Sequence, residues 1–112
     1  MVNIKPINSE IGFADSEIVS YRSENDNLVI EVKSWNDKTV NLEFEDCIFF
    51  LISNSWYISE ICEANDSIYK EMALNKVYEK IPAKIPYRFF QFLDLDDDPS
   101  VEIIARDFQI YR

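Results

Sequence analysis

The sequence predicts an α+β fold, a mostly antiparallel sheet of about six strands with one amphipathic helix packed on it at about residues 66–81. Two observations predict the sheet: apolar and polar residues alternate along consecutive runs, and turns rich in aspartate or asparagine separate the runs. One observation predicts the helix, because after residue 65 the apolar spacing changes from two residues to three and four. With 112 residues, the chain is expected to form a single domain, residues 1–112.

The clearest strand pattern lies in residues 28–52. Two runs alternate with a period of two, which places one face of each strand in the core. Between the runs, Asn36 and Asp37 bond readily to their own backbone and tolerate left-handed conformations, so the runs are expected to close as an antiparallel hairpin. The positions expected to face the core are Leu28, Ile30, Val32, Val40, Leu42 and Phe44.

Other strands are expected on both sides of this hairpin. Ser16–Ser23 alternates and precedes it. Cys47–Ile52 is almost continuously apolar, which is typical of a strand covered on both faces or of the centre of a sheet. Trp56–Ile61 has the pattern of a short strand.

The C-terminal part predicts a second hairpin. Tyr87–Leu95 alternates, Asp96–Pro99 is a turn sequence, and a last long strand runs from Val101 toward Ile110.

The predicted helix has an apolar stripe and recognisable ends. Asn65, Asp66 or Ser67 is expected to cap its start, and Lys76 and Lys80 lie where positive charge complements the helix dipole. Two prolines prevent its continuation. The stripe consists of Ile68, Tyr69, Met72, Ala73, Val77 and Ile81.

Negative charge is concentrated in the predicted sheet. The formal net charge is −10, divided into −9 for residues 1–69, +3 for residues 70–88 and −4 for residues 89–112. Such a field repels nucleic acid and anionic membranes and accelerates association with a basic protein. The alternative is that the excess carboxylates only keep the protein in solution.

Composition argues against most catalytic chemistry. The chain has no histidine, and its one glycine cannot form a phosphate-binding loop. Cys47 lies in an apolar run, where burial makes a thiol a poor nucleophile. A calcium loop starting at Asp94 would need glycine at 99 and glutamate at 105, where the chain has Pro99 and Ala105. We therefore expect no enzyme, no cofactor and no metal site, although a weak calcium site at this turn and a carboxylate-only enzyme remain alternatives.

No apolar run is long enough to span a membrane, and the first residues lack a signal-peptide core. The expected location is the cytoplasm, where Cys47 and Cys62 would be free thiols.

Two stretches resemble a known group of proteins. Residues 27–50, with the pattern NL.IEV..W......L.F.DCIFF, and residues 87–110, YRFFQFLDLDDDPSVEIIARDFQI, are similar to small immunity proteins of bacterial polymorphic-toxin and contact-dependent growth inhibition systems. The resemblance implies a toxin inhibitor without catalysis, an antitoxin that binds a cognate, basic toxin domain, often a nuclease. Where such proteins would carry a glycine in the hairpin turn, this chain has Asn36-Asp37-Lys38.

An immunity protein needs a surface complementary to its toxin, and acidic residues at turns and sheet edges would supply it. Trp35, Trp56 and Tyr57 are candidates for exposed anchors, against the alternative that they pack in the core. The protein is expected to be a monomer or weak homodimer; the competing hypothesis is a structural or adaptor protein that associates through a free sheet edge. The residues predicted to bind the partner are Trp35, Asp37, Glu43, Glu45, Asp94, Asp96, Asp97 and Asp98.

Overall fold

Antiparallel strands account for most of the structure, a computed structural model that describes residues 4–6, 13–53 and 56–111, the first of these ranges by backbone alone. Within these residues there are ten strands and one short helix. The elements are β1 Ile4–Pro6, β2 Ser16–Glu24, β3 Asn27–Lys33, β4 Thr39–Glu45, β5 Phe49–Ile52, β6 Tyr57–Ile58, β7 Glu60–Ala64, α1 Lys70–Asn75, β8 Arg88–Leu93, β9 Pro99–Ala105 and β10 Asp107–Tyr111.

The strands form two five-stranded sheets. Sheet 1 has the order β1-β7-β8-β9-β5, and sheet 2 has the order β10-β4-β3-β2-β6. Every neighbouring pair is antiparallel. The prediction of a mostly antiparallel sheet is confirmed, whereas the expected number of about six strands is too low.

The β3–β4 hairpin has the predicted register. Leu28 pairs with Phe44, Ile30 with Leu42 and Val32 with Val40. All six side chains are buried, because a period of two directs them to the same face of sheet 2.

The main core lies between the two sheets. Phe44 of sheet 2 contacts Phe90 and Phe92 of sheet 1, with ring centroids 5.1 and 6.2 Å apart, and Phe108 of β10 at 5.0 Å. Truncating a buried phenylalanine of this kind typically costs about 3–5 kcal/mol, so this aromatic cluster is a major contribution to stability.

Single residues carry the chain from one sheet to the other. Ser59 separates β6 of sheet 2 from β7 of sheet 1, and Arg106 separates β9 of sheet 1 from β10 of sheet 2. Strands that change sheets at such bends form the corners of a sandwich. The predicted continuous strand from Val101 toward Ile110 is therefore two strands, and the predicted strand Trp56–Ile61 is divided in the same way.

The apolar run Cys47–Ile52 is not a central strand. Its strand, β5, has β9 as its one partner among the described strands and lies at the edge of sheet 1, where Phe50 and Leu51 are exposed. The run is apolar because it contacts both sides of the sheet: Phe49 stacks on Tyr69, with centroids 4.9 Å apart, and Phe50 meets Tyr21 edge-on at 6.1 Å.

The helix is much shorter than predicted. It spans Lys70–Asn75 instead of residues 66–81, and its last turn contains no basic residue. The expected caps hold a turn before it: Asp66 Oδ1 accepts from the Ser67 N–H and Ser67 Oγ from the Tyr69 N–H. Short helices have only marginal stability in isolation. This helix is held by a few buried side chains instead of one continuous apolar stripe.

Residues 65–87 form an outer layer on sheet 1. Ala73 and Leu74 of the helix are buried with Ala64, Phe89 and Ile104 of the sheet. Several residues of the predicted stripe, including the strongly exposed Ile68, face solvent. The outer face of sheet 1 is thus covered by these residues.

Candidate partner-binding surfaces

The predicted binding residues lie in three places. Trp35 and Asp37 belong to the β3–β4 turn, and Glu43 and Glu45 belong to the outer face of β4. The four aspartates lie at the β8–β9 turn, in the other sheet. The structure therefore brings half of the predicted set onto sheet 2 and leaves the other half on sheet 1.

An open cavity of about 300 Å³ lies beside the β3–β4 turn. We call it the hairpin pocket. It is lined by Asp15, Glu17, Lys33, Ser34, Trp35, Asp37 and Tyr57.

Strand pairing explains why these residues meet. Glu17 of β2 pairs with Tyr57 of β6 on one side and with Lys33 of β3 on the other. Their sequence neighbours Ile18, Ile58 and Val32 are buried in the core. Since adjacent strand residues point to opposite faces, the row Tyr57–Glu17–Lys33 lies on the solvent side of sheet 2 and forms the floor of the pocket.

The β3–β4 turn supplies the opposite wall. The Ser34 N–H donates to the Lys38 carbonyl at 2.8 Å, and the Asp37 N–H donates to the Ser34 carbonyl at 3.0 Å. Asp37 has φ = 66°, a left-handed conformation that aspartate tolerates better than most residues. In this turn the Trp35 side chain faces solvent, with 71% of its surface exposed.

The pocket is acidic and flanked by aromatic rings. Three carboxylates, from Asp15, Glu17 and Asp37, face one cation, Lys33, whose Nζ lies 3.2 Å from Asp37 Oδ1. Within the part of the chain that the structure describes, Asp15 and Glu17 form no ion pair. Tyr57, 58% exposed, lies across the floor from the turn.

Glu43 and Glu45 continue this polar face along β4. Glu43 is opposite Val29 of β3, and Glu45 Oε1 accepts from Gln109 Nε2 of β10 at 3.3 Å. Both are half-buried. At about 3.4 Å per residue, Glu43 lies roughly 14 Å along the strand from Thr39, the residue that pairs with Lys33.

The β8–β9 turn uses one of its four aspartates internally. Asp94 Oδ1 accepts from the Asp96 N–H at 2.9 Å and from the Asp98 N–H at 3.1 Å. Asp96, Asp97 and Asp98 are exposed. Asp94 therefore holds the turn, while its three neighbours present negative charge to solvent.

Sequence reasoning did not select Asp15 and Glu17. Glu17 stands on the polar side of an alternating run, which is a signal for a solvent-facing position and for nothing more specific. Its place beside Tyr57 depends on the β2–β6 pairing of residues about forty positions apart, which no local pattern encodes.

Neither Cys47 nor Cys62 forms a disulfide within the described residues. Burial raises the pKa of Cys47 and that of Cys62 to about 11, with the charges of Asp46 and Glu60 acting in the same direction. At neutral pH neither thiol is ionised, as a nucleophile would require.

In the described ranges, no group of three or more cysteine, aspartate or glutamate side chains is arranged to hold a metal ion. None of the helical structure found there is long and apolar enough to cross a membrane.

The carboxylates of the hairpin pocket come from three segments, which is the convergence that a carboxylate enzyme needs. General acids in such enzymes are held in apolar surroundings, whereas Asp15 and Asp37 are exposed.

Comparison with protein-family models, with curated proteins and with solved structures found no match.

Proposed function

We propose that this protein binds a basic protein partner through the outer face of sheet 2 and thereby neutralises it, as an immunity protein neutralises a cognate toxin domain. The hairpin pocket is the observation that carries this proposal: three carboxylates and two exposed aromatic rings surround one open cavity. Such a combination suits a positively charged protein surface.

Two parts of the surface contribute differently. The exposed Asp96, Asp97 and Asp98 accelerate encounter with a basic partner, an effect that falls with ionic strength. Trp35 and Tyr57 are the anchors that slow dissociation, because buried aromatic contacts supply most of the binding energy in protein interfaces. The proposed location is the cytoplasm, where the free thiols of Cys47 and Cys62 persist.

The test is co-expression with the product of an adjacent toxin gene. The expected result is a complex that co-elutes in size-exclusion chromatography and loss of the toxin's activity. A Trp35→Ala/Glu17→Gln double variant is expected to protect less well, and Glu79→Gln, an exposed change in the outer layer, is the matched control. Absence of any toxin gene nearby together with no basic partner on co-purification would overturn the proposal.

Self-association is the second candidate, and one observation favours it. Residues 19–24 of β2 are all exposed, and no described strand pairs with them on the side away from β3. A free edge of this kind can accept another strand. Light scattering at rising concentration distinguishes the two: a dimer that Tyr21→Lys abolishes supports self-association, and a monomer at all concentrations rejects it.

A further inference from the structure

We propose that the hairpin pocket is the receptor for a single arginine side chain presented by the partner. The inference rests on the proposed function and deepens it, because it names the chemical group that the acidic surface selects. It is argued from the shape, the charge and the aromatic walls of the pocket.

The shape suits a long, flat side chain. Tyr57 and Lys33 stand on strands separated by β2, and with about 4.8 Å between neighbouring strands the floor is roughly 10 Å wide. Trp35 rises from the turn beyond Lys33. A cavity of about 300 Å³ is large enough for one long side chain.

The charges select a cation. Lys33 is engaged by Asp37 at 3.2 Å, which leaves the carboxylates of Asp15 and Glu17 to accept hydrogen bonds from an incoming group. The lining as a whole carries three acidic groups and one basic group. A cation forms charge-assisted hydrogen bonds with these carboxylates, whereas a neutral donor bonds to them more weakly and an anion is repelled.

The aromatic rings distinguish an organic cation from a metal ion. Among the described residues, the pocket carboxylates do not form a metal-binding cluster. Trp35 and Tyr57 are exposed and line the pocket, and a cation over the face of an aromatic ring is attracted by the ring quadrupole.

Arginine fits better than lysine for three reasons. Its guanidinium group is planar and stacks on aromatic rings, it is weakly hydrated, and it forms paired hydrogen bonds with carboxylates. Lysine carries a compact charge that remains strongly hydrated. We therefore expect arginine derivatives to bind more tightly than the matching lysine derivatives.

The experiment is a titration with N-acetyl-L-arginine amide, followed by nuclear magnetic resonance of the two tryptophan indole N–H signals. Trp56→Phe assigns the Trp35 signal. The expected result is a saturable shift of the Trp35 signal that is absent with the neutral isostere N-acetyl-L-citrulline amide and smaller with N-acetyl-L-lysine amide at the same concentration.

Glu17→Gln is expected to weaken binding of the arginine amide roughly ten-fold, since a charge-assisted pair becomes a neutral one. Glu79→Gln, an exposed change of the same type in the outer layer on sheet 1, is the matched control and is expected to change affinity less than about two-fold. Equal shifts with the citrulline derivative, or equal losses in the two variants, would overturn the inference.

The two proposals fail separately. If the arginine amide does not bind while the toxin is still neutralised, the pocket is not an arginine receptor and the proposed function stands. If the arginine amide binds as expected and no toxin is neutralised, the pocket assignment stands and the proposed function falls.

Discussion

The hairpins β3–β4 and β8–β9 have nearly identical turns and opposite surroundings. In each turn the first N–H donates to the fifth carbonyl, at 2.8 Å in Ser34–Lys38 and 2.9 Å in Asp94–Asp98, and the fourth N–H donates to the first carbonyl at 3.0 Å. The fourth residue is left-handed in both, with φ = 66° at Asp37 and 61° at Asp97.

Both turns also expose a large apolar side chain at the second position, Trp35 at 71% and Leu95 at 65%. The strands behind them differ. Beside Trp35 the outer face of sheet 2 is polar and contains the hairpin pocket, whereas the outer face of β8 and β9 is buried. The turn conformation alone therefore does not form the hairpin pocket, which also needs residues from neighbouring strands.

The largest expected effect concerns the side-chain hydrogen bonds that stabilise each turn. Asp94→Ala removes the acceptor of two backbone N–H groups and is expected to lower the free energy of unfolding by about 1–2 kcal/mol. Ser34→Ala removes only a bond from Ser34 Oγ to Asn36 Oδ1 and is expected to cost less than about 1 kcal/mol. Urea unfolding with an unchanged m value measures both; equal losses would show that the turns are held alike.

The second prediction separates the two exposed apolar residues. Trp35→Ala is expected to weaken binding of N-acetyl-L-arginine amide roughly ten-fold, because it removes a cation–π contact. Leu95→Ala, at the same position of the other turn, is expected to leave it unchanged. The backbone signal of Glu17 reports binding in both variants, and a similar loss in Leu95→Ala contradicts the assignment.

The third prediction concerns the left-handed residues. Asp97→Gly is expected to raise the free energy of unfolding by roughly 0.5–1 kcal/mol, because glycine adopts φ near 60° without strain. Asp37→Gly is expected to gain less, since it also removes the exposed ion pair with Lys33. Only Asp37→Gly is expected to weaken binding of the arginine amide. Thermal unfolding and titration of both variants test the difference.

The smallest expected effect is a pH dependence of the free energy of unfolding that arises in the β8–β9 hairpin. Burial raises the pKa of Glu102, whose carboxylate accepts from Gln91 Nε2 at 2.8 Å. For a carboxyl group with a raised pKa, stability is fully present below the ordinary value of about 4.5 and is lost as pH rises through the raised value.

Glu102→Gln is therefore expected to flatten the pH dependence of unfolding above about pH 4.5 and to add on the order of 0.5 kcal/mol at pH 7. Urea unfolding from pH 4 to 8 provides the measurement. A variant whose stability falls with pH as steeply as that of the unaltered chain would contradict this role of Glu102.

Local patterns predicted the parts of the fold that depend on neighbouring residues. The β3–β4 hairpin follows from alternation and from a turn that tolerates Asp37 in a left-handed conformation. The division into two sheets was missed because single residues, Ser59 and Arg106, form the corners and interrupt no apolar pattern. The prediction of a long helix was wrong because residues such as Ile68 have helical spacing but face solvent instead of packing on the sheet.

The candidate site was predictable to a similar extent. Trp35 and Asp37 were selected because large aromatic and acidic residues in a turn are exposed. Asp15 and Glu17 were not selected, because the pocket that they line depends on the pairing of β2 with β6, in which Glu17 is opposite Tyr57. Whether the eight selected residues bind a partner stays a prediction.

The sheet order has a consequence for biosynthesis. β4 pairs with β10 and β5 pairs with β9. These two strands from the first half of the chain can therefore complete their pairing only when residues 99–111 are present. Topologies dominated by such distant pairings fold slowly, in milliseconds to seconds. The sandwich is therefore completed only after residues 99–111 have been synthesised, and a partner that recognises the finished surface binds after these pairings have formed.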